Sequence, residues 1–305
     1  MDLFENVKER EKIDYERNLR VVKNTEMVQK ARYTLPPLEH KTLLYAISKV
    51  KQEDDINTEY SFELKDFFSV CGISDNYTLL KRTLKSVSDK SWWYKDEYGT
   101  EHLIRWFNTL KIEKGTGKVK FKFHEEMQRF IINLTYDNAY ITQYELKTIL
   151  PMHGIYSIRL FELLKSYANR SEWTFNIDDF KQLMDCEKYK NYNELKKRVI
   201  EPSVKEINRF SELVIHAHPI RKGKKVVKIR FIISSKTPQE NIETDTDINQ
   251  ELDGQLMIDL LNGKIKQTEI EQQEQAEEIQ FMEERSKLWA EENQKKRVRR
   301  NKTQE

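Results

Sequence analysis

The pair His216-Ala217-His218 has the most direct chemical meaning in this sequence. Two positions apart on a strand, its imidazoles share one face and could hold a divalent metal. The corresponding chemistry is metal-assisted cleavage of a nucleic-acid strand by a tyrosine, as in rolling-circle nickases, whose His-hydrophobic-His motif has the same form. In that class the catalytic tyrosine follows the histidines, whereas all fourteen tyrosines here precede Pro219. Nicking is therefore the weaker reading, and two polar residues on the outer face of a strand explain the pair as well. The run Gly115-Thr-Gly-Lys118 is followed by Val119, so the Gly-Lys-Ser/Thr ending of a nucleotide-phosphate loop is missing. Cys71 and Cys186 lack the close Cys or His neighbours of a zinc site and read as reduced, structural thiols. The expectation is a protein that is not an enzyme, with no catalytic residues, no metal and no cofactor.

Charge points elsewhere. The 305 residues hold 53 Lys+Arg and 51 Asp+Glu, but the balance shifts along the chain. Residues 1–235 carry 42 basic and 34 acidic side chains, and residues 236–305 carry 11 and 17. Between 190 and 230 twelve basic residues stand against four glutamates, a local net of +8. Such a concentration is the electrostatic footprint of a surface for a polyanion. The charged N-terminus has no apolar run for a signal peptide, and nowhere are there eighteen consecutive apolar residues, so the expected location is the cytoplasm, off the membrane.

The elements that would carry this charge repeat in order. With 38% hydrophobic and 34% charged residues, eight Gly and six Pro, the composition suits a helix-rich soluble protein of about two domains. It excludes a collagen, a disulfide miniprotein and a wholly disordered chain. In residues 25–135, Pro36-Pro37 opens a helix with Leu38, Leu43, Leu44, Ala46, Ile47 and Val50 at helical spacing. A strand at Tyr60–Leu64, a helix at Leu64–Val70, a break at Gly72 and a helix at Asn76–Asp89 follow. Segments 103–112 and 119–123 then make a hairpin around Lys114-Gly-Thr-Gly-Lys118. In residues 136–235 the order recurs: helices at 142–150 and 155–168, a strand at 173–177, a helix capped by Asp178, a longer helix at 191–210, and a hairpin around Arg221-Lys-Gly-Lys-Lys225. Helix-turn-helix followed by a β-hairpin is a winged helix. The predicted fold is therefore α+β and helix-rich, with two tandem winged-helix domains, an N-terminal arm at 1–24 and a C-terminal tail at 236–305. The tail reads as a solvated helix or disorder, with a short apolar helix at 255–261, a Gln/Glu-rich stretch from 264 and a basic end at 295–300. A chain ending near Ser235 is expected to fold without it.

Three blocks, Tyr144-Glu-Leu-Lys-Thr-Ile-Leu150, Ile155-Tyr-Ser-Ile-Arg-Leu-Phe-Glu-Leu-Leu-Lys165 and Lys196-Lys-Arg-Val-Ile-Glu-Pro-Ser-Val-Lys-Glu-Ile-Asn208, closely resemble the iteron-binding plasmid replication initiators of the RepE and Pi type. The likeness extends through Ala31–Glu39 and Gly223–Phe231 and covers roughly residues 25–235. Leu160-Phe-Glu162 stands where the family often has Leu-Tyr-Glu, and Pro202-Ser203 where it has Pro-Ala. The resemblance implies tandem winged helices that bind direct repeats at a plasmid origin as monomers and help open it with host factors. It further implies recruitment of the replicative helicase, contact with the host initiator, and repression of the protein's own gene as a dimer on inverted repeats. A transcription regulator without a replication role is the alternative.

For double-stranded DNA, the second unit offers Lys190, Asn191, Asn193, Lys196, Lys197 and Arg198 near the start of its long helix, where a reading helix meets base edges. Asn suits adenine and Arg suits guanine, while Lys supplies phosphate charge. The plain alternative is a solvated helix face, and the basic wing just downstream, Arg221, Lys222, Lys224 and Lys225, favours DNA. Pro202 should kink the helix. Arg159 is either a phosphate clamp at a helix start or a structural partner of Glu162. In the first unit Tyr77, Lys81, Arg82 and Lys85, with Lys114 and Lys118 at the wing, form a thinner set and imply weaker binding. Val119–Phe123 and Trp92-Trp93 are the apolar candidates for a dimer contact, which the resemblance places in this first unit.

Overall fold

The computed structural model describes residues 3–254, apart from 52, 74, 75, 133 and 135–139 and the side chains of 3–7 and 9. All of these lie in one compact unit, Met1–Leu256. The features expected at 255–261, 264–300 and 295–300 fall outside the described residues.

The chain opens with α1 (Leu3–Arg17), β1 (Arg20–Asn24) and α2 (Thr25–Lys30). The first winged helix follows as α3 (Pro37–Ile47), β2 (Tyr60–Glu63), α4 (Leu64–Cys71) and α5 (Tyr77–Asp89). Pro37 suits the first helical turn because its missing N–H would be unpaired there in any case. Gly72 ends α4 in the left-handed region at φ 63°, and the Asn76 side chain starts α5 by accepting the Leu79 N–H at 2.8 Å.

Next come β3 (Ser91–Lys95), β4 (Glu101–Arg105), β5 (Phe107–Ile112), β6 (Lys118–Phe123) and the short α6 (Glu125–Gln128). The segment expected as one strand at 103–112 is two, divided at Trp106. That ring is fully buried and stacks on Trp92 at 5.6 Å, so the backbone turns to seat it. β4 pairs with β3 in a hairpin of its own, and β5 pairs with β6 in the wing. In β6 the alternation Lys-Val-Lys-Phe-Lys-Phe buries Val119, Phe121 and Phe123, and β6 is the middle strand of the antiparallel order β2-β6-β5. A strand with both edges paired and its apolar face in the core has nothing to offer a second molecule. The expected dimer contact at Val119–Phe123 is thus corrected, as is Trp92, which is completely buried. An exposed apolar cross-strand pair of this unit is Trp93 opposite Leu103, 45% and 57% accessible.

The helix expected at 142–150 is a strand, β7 (Ile141–Glu145), followed by a single 3₁₀ turn at Leu146–Thr148. Exposure alternates along Ile-Thr-Gln-Tyr-Glu, and the partner is β1, antiparallel. Residues 1–24 are accordingly no free arm: β1 joins the first residues to the start of the second unit.

The second winged helix comprises α7 (Ser157–Lys165), β8 (Glu172–Asn176), α8 (Ile177–Leu183), α9 (Tyr192–Leu195), α10 (Glu201–Phe210), β9 (Leu213–Lys222) and β10 (Lys225–Ser235), with strand order β8-β10-β9. Asn176, rather than Asp178, occupies the cap position of α8, and Asp178 lies in the first turn, where the helix dipole favours a carboxylate. Between α9 and α10 the chain stays helical through a π turn at Lys196–Ile200, with the Glu201 N–H bonded to the Lys196 carbonyl. Pro202 has no N–H to give, and the wider turn absorbs the missing bond that the sequence marked as a kink.

Residues 238–254 form a last helix, α11. Thr244, Ile248 and Leu252, four apart, are buried against the body, so the first part of the expected tail belongs to the folded core.

Candidate nucleic-acid interface

Leu195, Val199, Ser203, Ile207 and Phe210 form the inner face of the 192–210 helix and are buried. This fixes which side chains point outward. Asn193, Lys196, Lys197 and Arg198 are exposed, as are Lys190 and Asn191 just before the helix. Asn191 spends its amide oxygen as the cap, accepting the Glu194 N–H at 2.9 Å, which leaves its NH₂ for a ligand. Lys196 pairs with Glu201 at 3.2 Å, while Asn193, Lys197 and Arg198 have no protein partner among the described residues.

The wing lies beside this helix. Gly223 supplies the positive φ of 62° that the two-residue tip between Lys222 and Lys225 requires. Arg221, Lys222, Lys224 and Lys225 are all exposed there, with one Arg221 N–H donated to the Lys224 carbonyl at 3.3 Å. Tyr192 was missed by reading the sequence. It is half-buried at the helix start; burial raises its pKa, and the charges of Lys196 and Arg221 oppose the shift. Its signal was only positional, a tyrosine between two asparagines. His216 and His218 are exposed on β9, the edge strand, opposite Ile232 and Arg230. No group of three or more metal-ligating side chains occurs among the described residues.

In the first unit Tyr77, Lys81, Arg82 and Lys85 are exposed on α5, and Lys114 is exposed on the wing while Lys118 is half-buried. A Cβ on Gly117 would stand 3.3 Å from the Tyr77 ring, so wing and helix start are in contact here too. Carboxylates dilute this surface: Glu113 pairs with Lys120 at 2.6 Å in the wing.

Arg159 leaves the candidate list. It is 2% exposed, donates to the carbonyls of Val28 at 2.8 Å and Ala31 at 2.6 Å, and lies 5.0 Å over the Tyr33 ring. A guanidinium spent on backbone oxygens inside the core reaches no phosphate, and its partners are these carbonyls rather than Glu162. Glu162 has its own set. Fully buried on α7, it pairs with Lys23 of β1, accepts the Tyr144 hydroxyl at 2.5 Å and the Tyr33 hydroxyl at 3.3 Å, and faces His40 Nε2 of α3 at 3.5 Å. Burial alone would raise its pKa; Lys23 and His40 overcome this and hold it well below the usual carboxylate range. Burial pushes Lys23 and His40 downward. This hub joins the first helices of the two units.

Two consecutive helix-turn-helix units, each followed by a β-hairpin wing and each exposing basic side chains on its second helix, make this a tandem winged-helix protein of the DNA-binding class. Residues 20–165 match the family model described as Initiator Replication protein, WH1, and residues 176–233 match Initiator Rep protein, WH2. The chain belongs to the initiator Rep family and is a plasmid replication initiator. The first match runs on through α7, past the boundary expected at 135.

Among solved structures, the Pi initiator protein in complex with iteron DNA is similar with a TM-score of 0.61 at 15% identity, over 72% of this chain and 98% of that one. Domains 2 and 3 of RctB give a TM-score of 0.40 at 9% identity over 65% and 81% of the two chains. The WH1 domain of the replication protein MSBI1.176 gives 0.24 at 19% over 34% and 88%. No curated protein matches the sequence. No helix among the described residues is long and apolar enough to cross a membrane.

Proposed function

We propose that this initiator binds directly repeated sites at a plasmid origin as a monomer, with the second winged helix as its main reader and the first as a weaker second contact. The observation that carries the reading is the exposed set Asn193, Lys197 and Arg198, without protein partners among the described residues, beside a wing tip of four basic side chains. Asn and Arg can each make bidentate contacts to base edges, and the wing lysines supply the sequence-independent phosphate term. The structurally similar Pi protein is described in complex with iteron DNA, which agrees with this reading.

Opening of the origin then draws on binding energy and on host motors, because the chain has no nucleotide-phosphate loop. The host initiator and replicative helicase are the partners the family implies. Self-repression belongs to a dimer: a two-fold pair suits inverted half-sites, whereas direct repeats suit monomers. Trp93 and Leu103 on the β3–β4 hairpin are the exposed apolar residues we assign to that contact. The deciding experiment is footprinting on the DNA flanking the protein's own gene. Protection of direct repeats identifies the origin and protection of inverted repeats the promoter; protection of neither overturns the reading.

A further inference from the structure

We propose that α11 is a strap that fixes the second winged helix against the first and so sets the spacing at which the two reading helices meet one duplex. This rests on the DNA reading above and adds a determinant outside the DNA surface. The helix cannot owe its place to propensity alone, since its sequence is Asn-, Thr- and Asp-rich. Its place comes from contacts to both units. Towards the second, Arg209 of α10 reaches Asp247 at 3.3 Å and Glu251 at 3.2 Å, and His153, ahead of α7, faces Glu251 at 3.6 Å. Lys147, in the turn after β7, pairs with Asp245 at 3.2 Å.

Towards the first unit, the carbonyl of Leu252 sits where a Cβ on Gly72 would come within 2.4 Å, so α11 closes on the end of α4 at a point only glycine permits. Arg17 of α1 donates to the carbonyls of Val70 and Ser69 and also faces Asp253 at 3.8 Å. Beneath lies the buried Lys41 of α3. Burial lowers its pKa, and the charges of Cys71 at the end of α4, Glu206 on α10 and Glu251 on α11 oppose that shift. Arg17, Lys147, His153 and Arg209 are all separate from the proposed DNA-facing residues. The strap therefore positions the readers and does not compete with DNA for them.

The test uses the full chain. Ile248→Asp with Leu252→Asp puts two carboxylates into the buried stripe and releases the helix; Asp247→Asn with Glu251→Gln and Asp253→Asn serves if the first variant does not fold. Spin labels at Tyr98→Cys and Glu172→Cys, both exposed and in different units, report the distance between units, because Cys71 and Cys186 are buried. A narrow distance distribution should broaden on release. In parallel, affinity is measured on random-sequence duplexes of about 10 and about 30 base pairs, the longer able to engage both units. Loosening the link lowers the effective concentration of the second contact, so the released variant should lose about 10-fold or more on the long duplex and less than about 2-fold on the short one. An unchanged distance distribution with the helix demonstrably protease-sensitive, or equal losses on both duplexes, overturns the strap. Failure of the unsubstituted protein to bind either duplex would instead overturn the DNA reading, and the distance measurement would still decide the strap.

Discussion

Replacing Glu162 by Gln keeps its shape and removes the charge on which Lys23, His40, Tyr33 and Tyr144 converge. The Lys23 side chain is 2% exposed and has no second carboxylate partner among the described residues, so the variant leaves a buried ammonium unpaired or forces it to deprotonate. Breaking one side of a buried ion pair costs about 3–5 kcal/mol, a large share of a total of roughly 5–15 kcal/mol. The Lys23→Met, Glu162→Gln double variant removes both charges and should recover much of that loss, since the desolvation cost of the ions disappears with them.

Urea unfolding followed by fluorescence and by DNA binding gives both quantities. The pH profile adds a second signature. His40 is held below its ordinary pKa, so the unfolded chain takes up a proton below about pH 6.5 that the folded chain refuses. Stability contributed by this group is present above that pH and lost as pH falls. Glu162 is also depressed, so its contribution is present above about pH 4.3 and is lost on further acidification, at up to about 1.4 kcal/mol per pH unit for one proton. Glu162→Gln should abolish the second step. A loss below about 1 kcal/mol, or a double variant as unstable as the single, would refute the account of Glu162 as a charge hub.

Arg221→Ala with Lys222→Ala should weaken binding almost uniformly across DNA sequences and lower the salt dependence, because fewer counterions are released; an unchanged salt slope measured by fluorescence anisotropy would contradict phosphate contact. Arg198→Ala or Asn193→Ala should relax sequence preference by about 1–3 kcal/mol at one base position, and equal losses on specific and random duplexes would remove either residue from base reading. Gly72→Ala should destabilise the full chain by more than the roughly 1–2 kcal/mol of a left-handed alanine, because its Cβ meets the Leu252 carbonyl, whereas in a chain ending at 236 only the conformational cost remains. Equal losses in the two chains would mean that α11 does not press on Gly72. The chain ending at 236 should itself unfold at lower urea concentration than one ending at 254, since Ile248 and Leu252 bury apolar surface in the core; coincident transitions would restore the dispensable tail.

Local chemistry by itself determined the helix-turn-helix units, the inner strand of the first wing and the second wing. Pro37 at a helix start, Gly72 and Asn76 around a turn, strict alternation in β6 and a glycine between basic residues at 222–225 act within a few residues, where propensity and periodicity are decisive. The exposure of the residues we propose as readers was legible for the same reason: once Leu195, Val199 and Ile207 mark the inner face, Asn193, Lys197 and Arg198 must point away from it. What the chain could not disclose locally was pairing at a distance. Residues 141–145 look helical until β1, more than a hundred positions earlier, supplies the strand edge that makes extension favourable. Arg159 reads as a phosphate clamp or as a partner of Glu162 until two carbonyls from residues 28 and 31 take its donors. The acidic segment at 238–254 lacks the apolar density to fold alone; Arg17, Lys147, His153 and Arg209, dispersed along the sequence and gathered by the fold, give its carboxylates partners, and the core gives Ile248 and Leu252 a surface to bury against.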